Sequence, residues 1–200
     1  MIRRLVCMLA LAALSLLPRM AGAAGAAEAS PFSAAEVRQI MTHGPWPVVT
    51  GRDPSNRVSG NRAAIDLGAR LFFERRLSAA GTLSCADCHV PERHWTDGRR
   101  LGVGRQEVDR NTPPVTNMRL ARWFGWDGAA DSLWSQSMRP ILNPRELAAS
   151  AEHVAVFMSK DSGMSCRYAL AFGALPAPDD AEGVLVNVGK ALAAFQETLV

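Results

Sequence analysis

The sequence predicts an all-α fold. Apolar residues recur at helical spacing along most of the chain, no stretch alternates polar and apolar residues as a half-buried strand would, and Gly and Pro cluster between the periodic stretches. No internal repeat is visible.

The first helix is predicted over about Ala34 to Met41. Ser33-Ala34-Ala35-Glu36 reads as a capping box, and Gly44, Pro45 and Pro47 end the helix. Residues 45–59 carry Gly, Pro, Asp and Asn without an apolar period, the mark of an irregular surface segment. Asn61 caps a second helix with Ile65, Leu67, Leu71 and Phe72 on one broad face, ending before residues 75–81. Residues 90–117 are punctuated by Pro91, Gly98, Gly102, Gly104, Pro113 and Pro114 and are expected to form a long loop with single turns at most. So long a loop in a compact domain usually has a job. Asp131 is the expected cap of a short helix reaching about Met138, with Pro140 stopping it. Further helices are expected over residues 150–160 and 163–172, the latter closed by Gly173. From Asp180 the residues Val184, Val188, Ala191, Leu192, Phe195 and Leu199 keep a helical period to the end of the chain with no cap after it.

The first residues read as an export signal. Arg3 and Arg4 precede an apolar run from Leu5 to Leu17, and small residues follow around Ala21 to Ala27. That run is too short to span a bilayer, and no later stretch is longer, so the chain is expected to be periplasmic and not membrane-spanning. The formal charge of +3 comes from the signal, since Arg3, Arg4 and Arg19 leave with it and no acidic residue precedes Ala24. The remainder is near neutral, which argues against a nucleic-acid partner. Residues 1–24 are thus assigned to the signal peptide, 25–60 to an N-terminal helix and irregular segment, and 61–200 to one compact domain.

The run Ser84-Cys85-Ala86-Asp87-Cys88-His89 carries the chemistry. Two thiols three residues apart lie on one helical turn, where each can add to a vinyl group of a haem, and the next residue, His89, can turn a ring nitrogen onto the iron. A structural zinc site is an alternative, but zinc takes four ligands, and the other cysteines and histidines, Cys7, Cys166, His43, His94 and His153, form no second close pair. A redox dithiol is another, although it belongs in a βαβ context and these flanks are helical and loop-like. Cys166 is expected to be a small buried residue. The sixth iron position decides between electron carrier and catalyst. Met118, Met138, Met158 and Met164 are the candidate methionines, each more commonly a core-filling side chain.

A family resemblance becomes specific between Asn61 and Val200. Leu67-Gly68 to Phe73, Arg76-Leu77-Ser78, Thr96-Asp97-Gly98, Arg110-Asn111-Thr112-Pro113, Trp126-Asp127-Gly128, Gln136, Pro140-Ile141 and Glu146-Leu147 stand around the haem motif in an order and spacing that resemble the N-terminal haem domain of bacterial di-haem cytochrome c peroxidases and MauG-like enzymes. The resemblance implies an all-α, cytochrome c-like haem domain with long loops around the haem. It also implies reduction of hydrogen peroxide with electrons from a small redox protein, a cytochrome c or a cupredoxin. On the matching positions, Cys85 and Cys88 attach haem c, His89 is the proximal ligand, Gln136 and Glu146 line the peroxide face, Trp126 passes electrons between haems, and Asn111 belongs to a calcium (Ca2+) site. The residue types suit that chemistry. A carboxylate in a partly dry pocket can take the proton of the inner peroxide oxygen and return it to the departing one, and an amide can orient peroxide without titrating.

Two departures from the family matter. Where many members carry a histidine that must leave the iron, this chain reads Gly102-Val103-Gly104-Arg105, resembling the subgroup that needs no reductive activation. No second Cys-x-x-Cys-His follows, so a separate second-haem domain or a homodimer is an expected partner. A non-catalytic electron-transfer cytochrome and a MauG-like oxidant of a protein substrate are the alternative readings.

Overall fold

The computed structural model describes residues 31–44 and 51–200, so the expected signal peptide lies outside the described residues. The chain divides into two units, Met1–Pro45 and Trp46–Val200. In the first, α1 (Ala34–Met41) has its capping box in place: Ser33 N–H donates to Glu36 Oε2 at 2.7 Å and Glu36 N–H to Ser33 Oγ at 3.3 Å. None of the residues of α1 is buried.

The second unit is helical, and among the described residues it has no strand, only isolated antiparallel bridges such as Val90 with Thr96 and Val103 with Glu107. Its α-helices are α2 (Arg62–Phe72), the single turn α3 (Cys85–Cys88), α4 (Leu133–Leu142), α5 (Ala151–Lys160), α6 (Ser162–Phe172) and α7 (Ala181–Gln196). α2 starts where expected, with Asn61 Oδ1 accepting from the N–H groups of Ala63 and Ala64 at 2.9 and 3.2 Å. Its inner face, Ala64, Leu67, Leu71 and Phe72, is buried, and each large side chain so placed contributes about 2 kcal/mol of transfer free energy.

α7 is the central element and packs against α2, α4 and α5. Two glycines let the backbones meet. A Cβ at Gly68 would lie 2.0 Å from the Ala191 carbonyl oxygen, and one at Gly189 would lie 2.7 Å from the Trp134 carbonyl oxygen. Among the described residues no helix is long and apolar enough to cross a membrane.

Four expectations need correction. Ser132, not Asp131, caps α4: its backbone is extended and its Oγ accepts from Ser135 N–H at 3.4 Å, whereas Asp131 lies one residue too early and is exposed. Pro140 does not stop α4, which runs on to Leu142. Proline costs most where it strips an interior hydrogen bond, but here the returning chain meets the last-turn carbonyls, Leu147 N–H on Pro140 O at 3.1 Å and Ala149 N–H on Ile141 O at 2.9 Å. Cys166 is exposed, because α6 buries Met164, Tyr168 and Ala171, and Cys166 follows Met164 by two residues, about 200° around the helix. α7 ends at Gln196 and is closed, with the Thr198 hydroxyl donating to Phe195 O at 2.7 Å and Asn117 N–H to Leu199 O at 2.7 Å.

The helix crossing can be tested directly. Gly68→Ala is expected to lower the unfolding free energy by about 3 kcal/mol, because Ala191 is backbone and cannot step aside; urea denaturation measures the loss.

Candidate active site

The attachment turn α3 is tied down on both sides. Ser84 N–H and Oγ–H donate to Asp87 Oδ2 at 2.8 and 2.7 Å, and Arg75 pairs with the other oxygen of Asp87 at 2.7 Å. The segment leading into the turn is held by Ser78, whose Oγ accepts from the N–H groups of Thr82 and Leu83 at 3.0 and 3.1 Å. Burial pushes the Cys85 thiol up to about 12 and the Cys88 thiol up to about 11, so both are protonated at neutral pH. The negative charge of Glu146 adds to the rise at both sulfurs, which places its carboxylate in their field.

His89 is oriented by main-chain carbonyls. Its Nδ1 lies 3.1 Å from the Trp95 carbonyl oxygen; since a carbonyl only accepts, Nδ1 carries the proton and Nε2 keeps its lone pair. Burial lowers the proton affinity of the ring against the opposing pull of the Trp95 and Pro113 carbonyls. The carbonyl is aimed by strained backbone, since His94 and Trp95 both have positive φ, 55° and 61°. Behind the ring stands an aromatic cluster. Phe72 lies 6.2 Å from His89, 5.6 Å from Trp95 and 5.4 Å from Phe195 between ring centroids.

Glu146 is half-buried just past α4. Burial raises the proton affinity of its carboxyl, while a hydrogen bond from Asn143 Nδ2 to Oε1 at 2.7 Å and the charge of Arg139 pull it back. A tight turn over residues 102–107 is strapped to it. Arg105 N–H donates to Glu146 O at 3.1 Å and Gln106 N–H to Arg145 O at 2.9 Å, and the Arg145 guanidinium bonds the Glu107 carbonyl. Gly104 has no room for a side chain: a Cβ there would sit 2.7 Å from the Glu146 Cα. The same turn meets the attachment motif, with Cys88 Sγ 3.4 Å from the Val103 carbonyl oxygen. One strap therefore links the Cys88 thiol to the main chain of Glu146.

Gln136, on α4, lies with Arg139 and Asp127. Arg139 Nη1 is 3.5 Å from Gln136 Oε1 and 3.8 Å from Asp127 Oδ1. Trp126 is exposed, and its indole N–H donates to the Asn111 carbonyl oxygen at 2.9 Å. The structure thus joins Glu146 to the attachment turn, gathers Gln136 with Arg139 and Asp127, and pairs Trp126 with Asn111. Met158 and Met164 are buried in the core, and Met118 and Met138 pack against it. His94 is exposed, and His153 is turned to the Arg76 carbonyl oxygen at 2.8 Å. Among the described residues no group of three or more His, Cys, Asp and Glu side chains is placed to hold a metal ion. A cavity of about 810 Å³ lies elsewhere, between Arg52, Met118, Arg122, Trp123 and Glu197; Met118 alone of the candidate residues lines it, and neither the attachment motif nor Glu146, Gln136 or Trp126 does. Sequence reasoning missed Asn143 and Arg139, although Asn143-Pro144-Arg145-Glu146 reads as an Asx turn ahead of the acid.

Paired thiols on one turn and a histidine oriented by main-chain carbonyls define a c-type haem domain, all-α and wrapped by loops. The chain belongs to the di-haem cytochrome c peroxidase family, whose model matches residues 62–200. It is 41% identical over 138 residues to methylamine utilization protein MauG of Methylorubrum extorquens, covering 68% of this chain and 38% of that protein. It is 34% identical to cytochrome c551 peroxidase of Nitrosomonas europaea, covering 70% of this chain and 41% of that one. Among solved structures it is similar to a MauG-like protein associated with microbial copper homeostasis (TM-score 0.65, 32% identity, 78% of this chain and 45% of that one). It is also similar to the diheme peroxidase BthA of Burkholderia thailandensis (TM-score 0.62, 26% identity, 76% and 40%). The chain spans about two fifths of the length of these curated relatives.

The strap has its own test. Gly104→Ala is expected to push the turn off Arg145 and Glu146, speeding hydrogen exchange of the Arg105 and Gln106 amides about tenfold or more while haem attachment is retained; exchange followed by mass spectrometry measures it.

Proposed function

We propose that the chain is a periplasmic c-type haem domain that reduces hydrogen peroxide to water with electrons from a small redox protein, a cytochrome c or a cupredoxin. The observation that carries this reading is Glu146: a half-buried carboxyl with raised proton affinity, strapped to the turn that bears the two thiols. Residues 1–24 would be the export signal and 61–200 the haem domain.

Cys85 and Cys88 would hold the haem covalently and His89 would ligate its iron through Nε2, for which the donor set and the occupied Nδ1 are suited. The bound haem supplies the metal at which peroxide binds and through which electrons reach the O–O bond. Glu146 acts first as a base, taking the peroxide proton, and then as an acid, returning it to the departing oxygen. Its raised proton affinity suits both halves, since a shift toward the operating pH lessens the penalty of giving up and regaining a proton. Gln136, neutral and anchored beside Arg139, orients the peroxide by hydrogen bonding. Trp126, exposed and hydrogen-bonded to the Asn111 carbonyl, would pass electrons between this haem and a second one. A second redox centre, in a second-haem domain or a second copy of the chain, would pass the electrons on. Calcium is assigned no step.

A MauG-like oxidation of a protein substrate is the second reading. The indoles of Trp123 and Trp126, 67% and 58% exposed, favour it, because they offer a hole a way out to a docked protein.

Glu146→Gln should slow the reaction with peroxide about tenfold or more while leaving the haem spectrum unchanged; stopped-flow absorbance decides, and equal rates would remove Glu146 from the mechanism. The parent rate should fall as pH drops through the Glu146 pKa, because the base form is lost there. Burial sets that fall above the ordinary carboxylate range, and the pH profile of Glu146→Gln should lack it.

A further inference from the structure

We propose that Asn143 is the positioning residue of the active carboxylate, its side-chain NH2 occupying Oε1 of Glu146 so that Oε2 alone takes and returns the proton. This rests on the role given to Glu146 above. The geometry leaves the Asn143 amide one orientation. Arg145 N–H donates to Asn143 Oδ1 at 3.0 Å, which fixes that atom as the acceptor and turns Nδ2 to the carboxylate, where it donates to Oε1 at 2.7 Å.

The backbone of Asn143 is pinned as firmly. It ends α4 in an extended conformation, as the following Pro144 demands. Its N–H donates to Arg139 O at 2.9 Å, and its carbonyl accepts from Glu146 N–H at 2.9 Å and Ala148 N–H at 3.0 Å. With main chain and amide both fixed, the donor can follow the carboxylate only by breaking the turn. An N–H held on Oε1 favours the ionised acid and excludes a proton from that oxygen.

Charges reach Glu146 from each neighbouring element. Arg139 on α4 favours ionisation. On its own segment, Arg145 is turned away to the Glu107 carbonyl. The strap brings Arg105 and Glu107, with Arg105 engaging Glu146 through its main chain. α3 brings Cys85, Cys88 and Asp87, the two thiols feeling the charge of Glu146. Asn143 is the side chain that donates a hydrogen bond to the carboxylate.

The test uses the full haem-loaded chain. Asn143→Asp keeps an oxygen for Arg145 N–H, and so the turn, but replaces the donor by a second acid against Glu146; two such carboxyls share a proton. The acid limb of the peroxide pH profile should move about one pH unit or more to the alkaline side, a rate about tenfold lower on that limb. The protonated-carboxyl infrared band absent from Glu146→Gln should persist to correspondingly higher pH. In the Glu146→Gln background, Asn143→Asp should move no limb. Should Asn143→Asp fail to fold by urea denaturation, Asn143→Ser, which keeps a cap oxygen but is too short to donate to Oε1, should give a smaller shift of the same sign. A folded variant whose infrared band titrates where the parent's does overturns the proposal. If Glu146→Gln reacts with peroxide like the parent, the peroxidase reading of Glu146 fails instead, and the infrared titration still decides on Asn143.

Discussion

The approach of α2 to α7 constrains the site. With Gly68 pressed against the Ala191 carbonyl, the two helices meet closely enough for Phe72, four residues on, to touch Phe195, four residues on from Ala191. Those rings form the wall on which Trp95 rests, and Trp95 supplies the carbonyl that holds the His89 proton. A larger residue at position 68 would part the helices and loosen that wall. The loss would be felt as a change in the tautomer and tilt of the histidine as much as in stability.

A second constraint runs on the other side. α4 ends in a turn whose carbonyls and amides are tied to the chain that returns past it, and Leu147 O in turn accepts from Ala79 N–H at 3.0 Å, next to the Ser78 that organises the approach to α3. The strap over residues 102–107 adds Cys88 and Glu146 to the same hydrogen-bonded body. Cys88, the main chain of Glu146 and the strap are therefore held in one hydrogen-bonded body. Main-chain bonds of this kind fix distances that side-chain contacts alone would leave loose, and the proton transfer proposed for Glu146 would need that fixity.

Much of this was legible in the sequence wherever cause and effect lie within a few residues. A cap and the N–H groups it satisfies are two or three residues apart, so α1 and α2 begin where Ser33 and Asn61 announce them; three donors within five residues make the haem motif readable without any fold. What escaped depends on partners distant in sequence. Pro140 reads as a stop until the 147–149 segment is seen returning to satisfy the last turn, and Cys166 reads as buried until the facing side of α6 is known. The Trp95 carbonyl could not be anticipated, because two consecutive non-glycine residues at positive φ go against local preference and are held by their surroundings.

The glycines of the strap bear on how the site would open. A segment containing Gly102 and Gly104 would ordinarily be read as flexible, yet a Cβ at Gly102 would meet the Thr112 hydroxyl at 2.8 Å and one at Gly104 the main chain of Glu146 at 2.7 Å. Here glycine serves close approach rather than motion, and Gly102 N–H and O are both engaged, to Arg110 O at 2.8 Å and from Val108 N–H at 2.9 Å. A turn sealed in this way, with no imidazole to offer and no slack to carry one inward, does not act as a gate. In the proposed mechanism the chemistry then depends on the protonation of Glu146 rather than on movement of the strap.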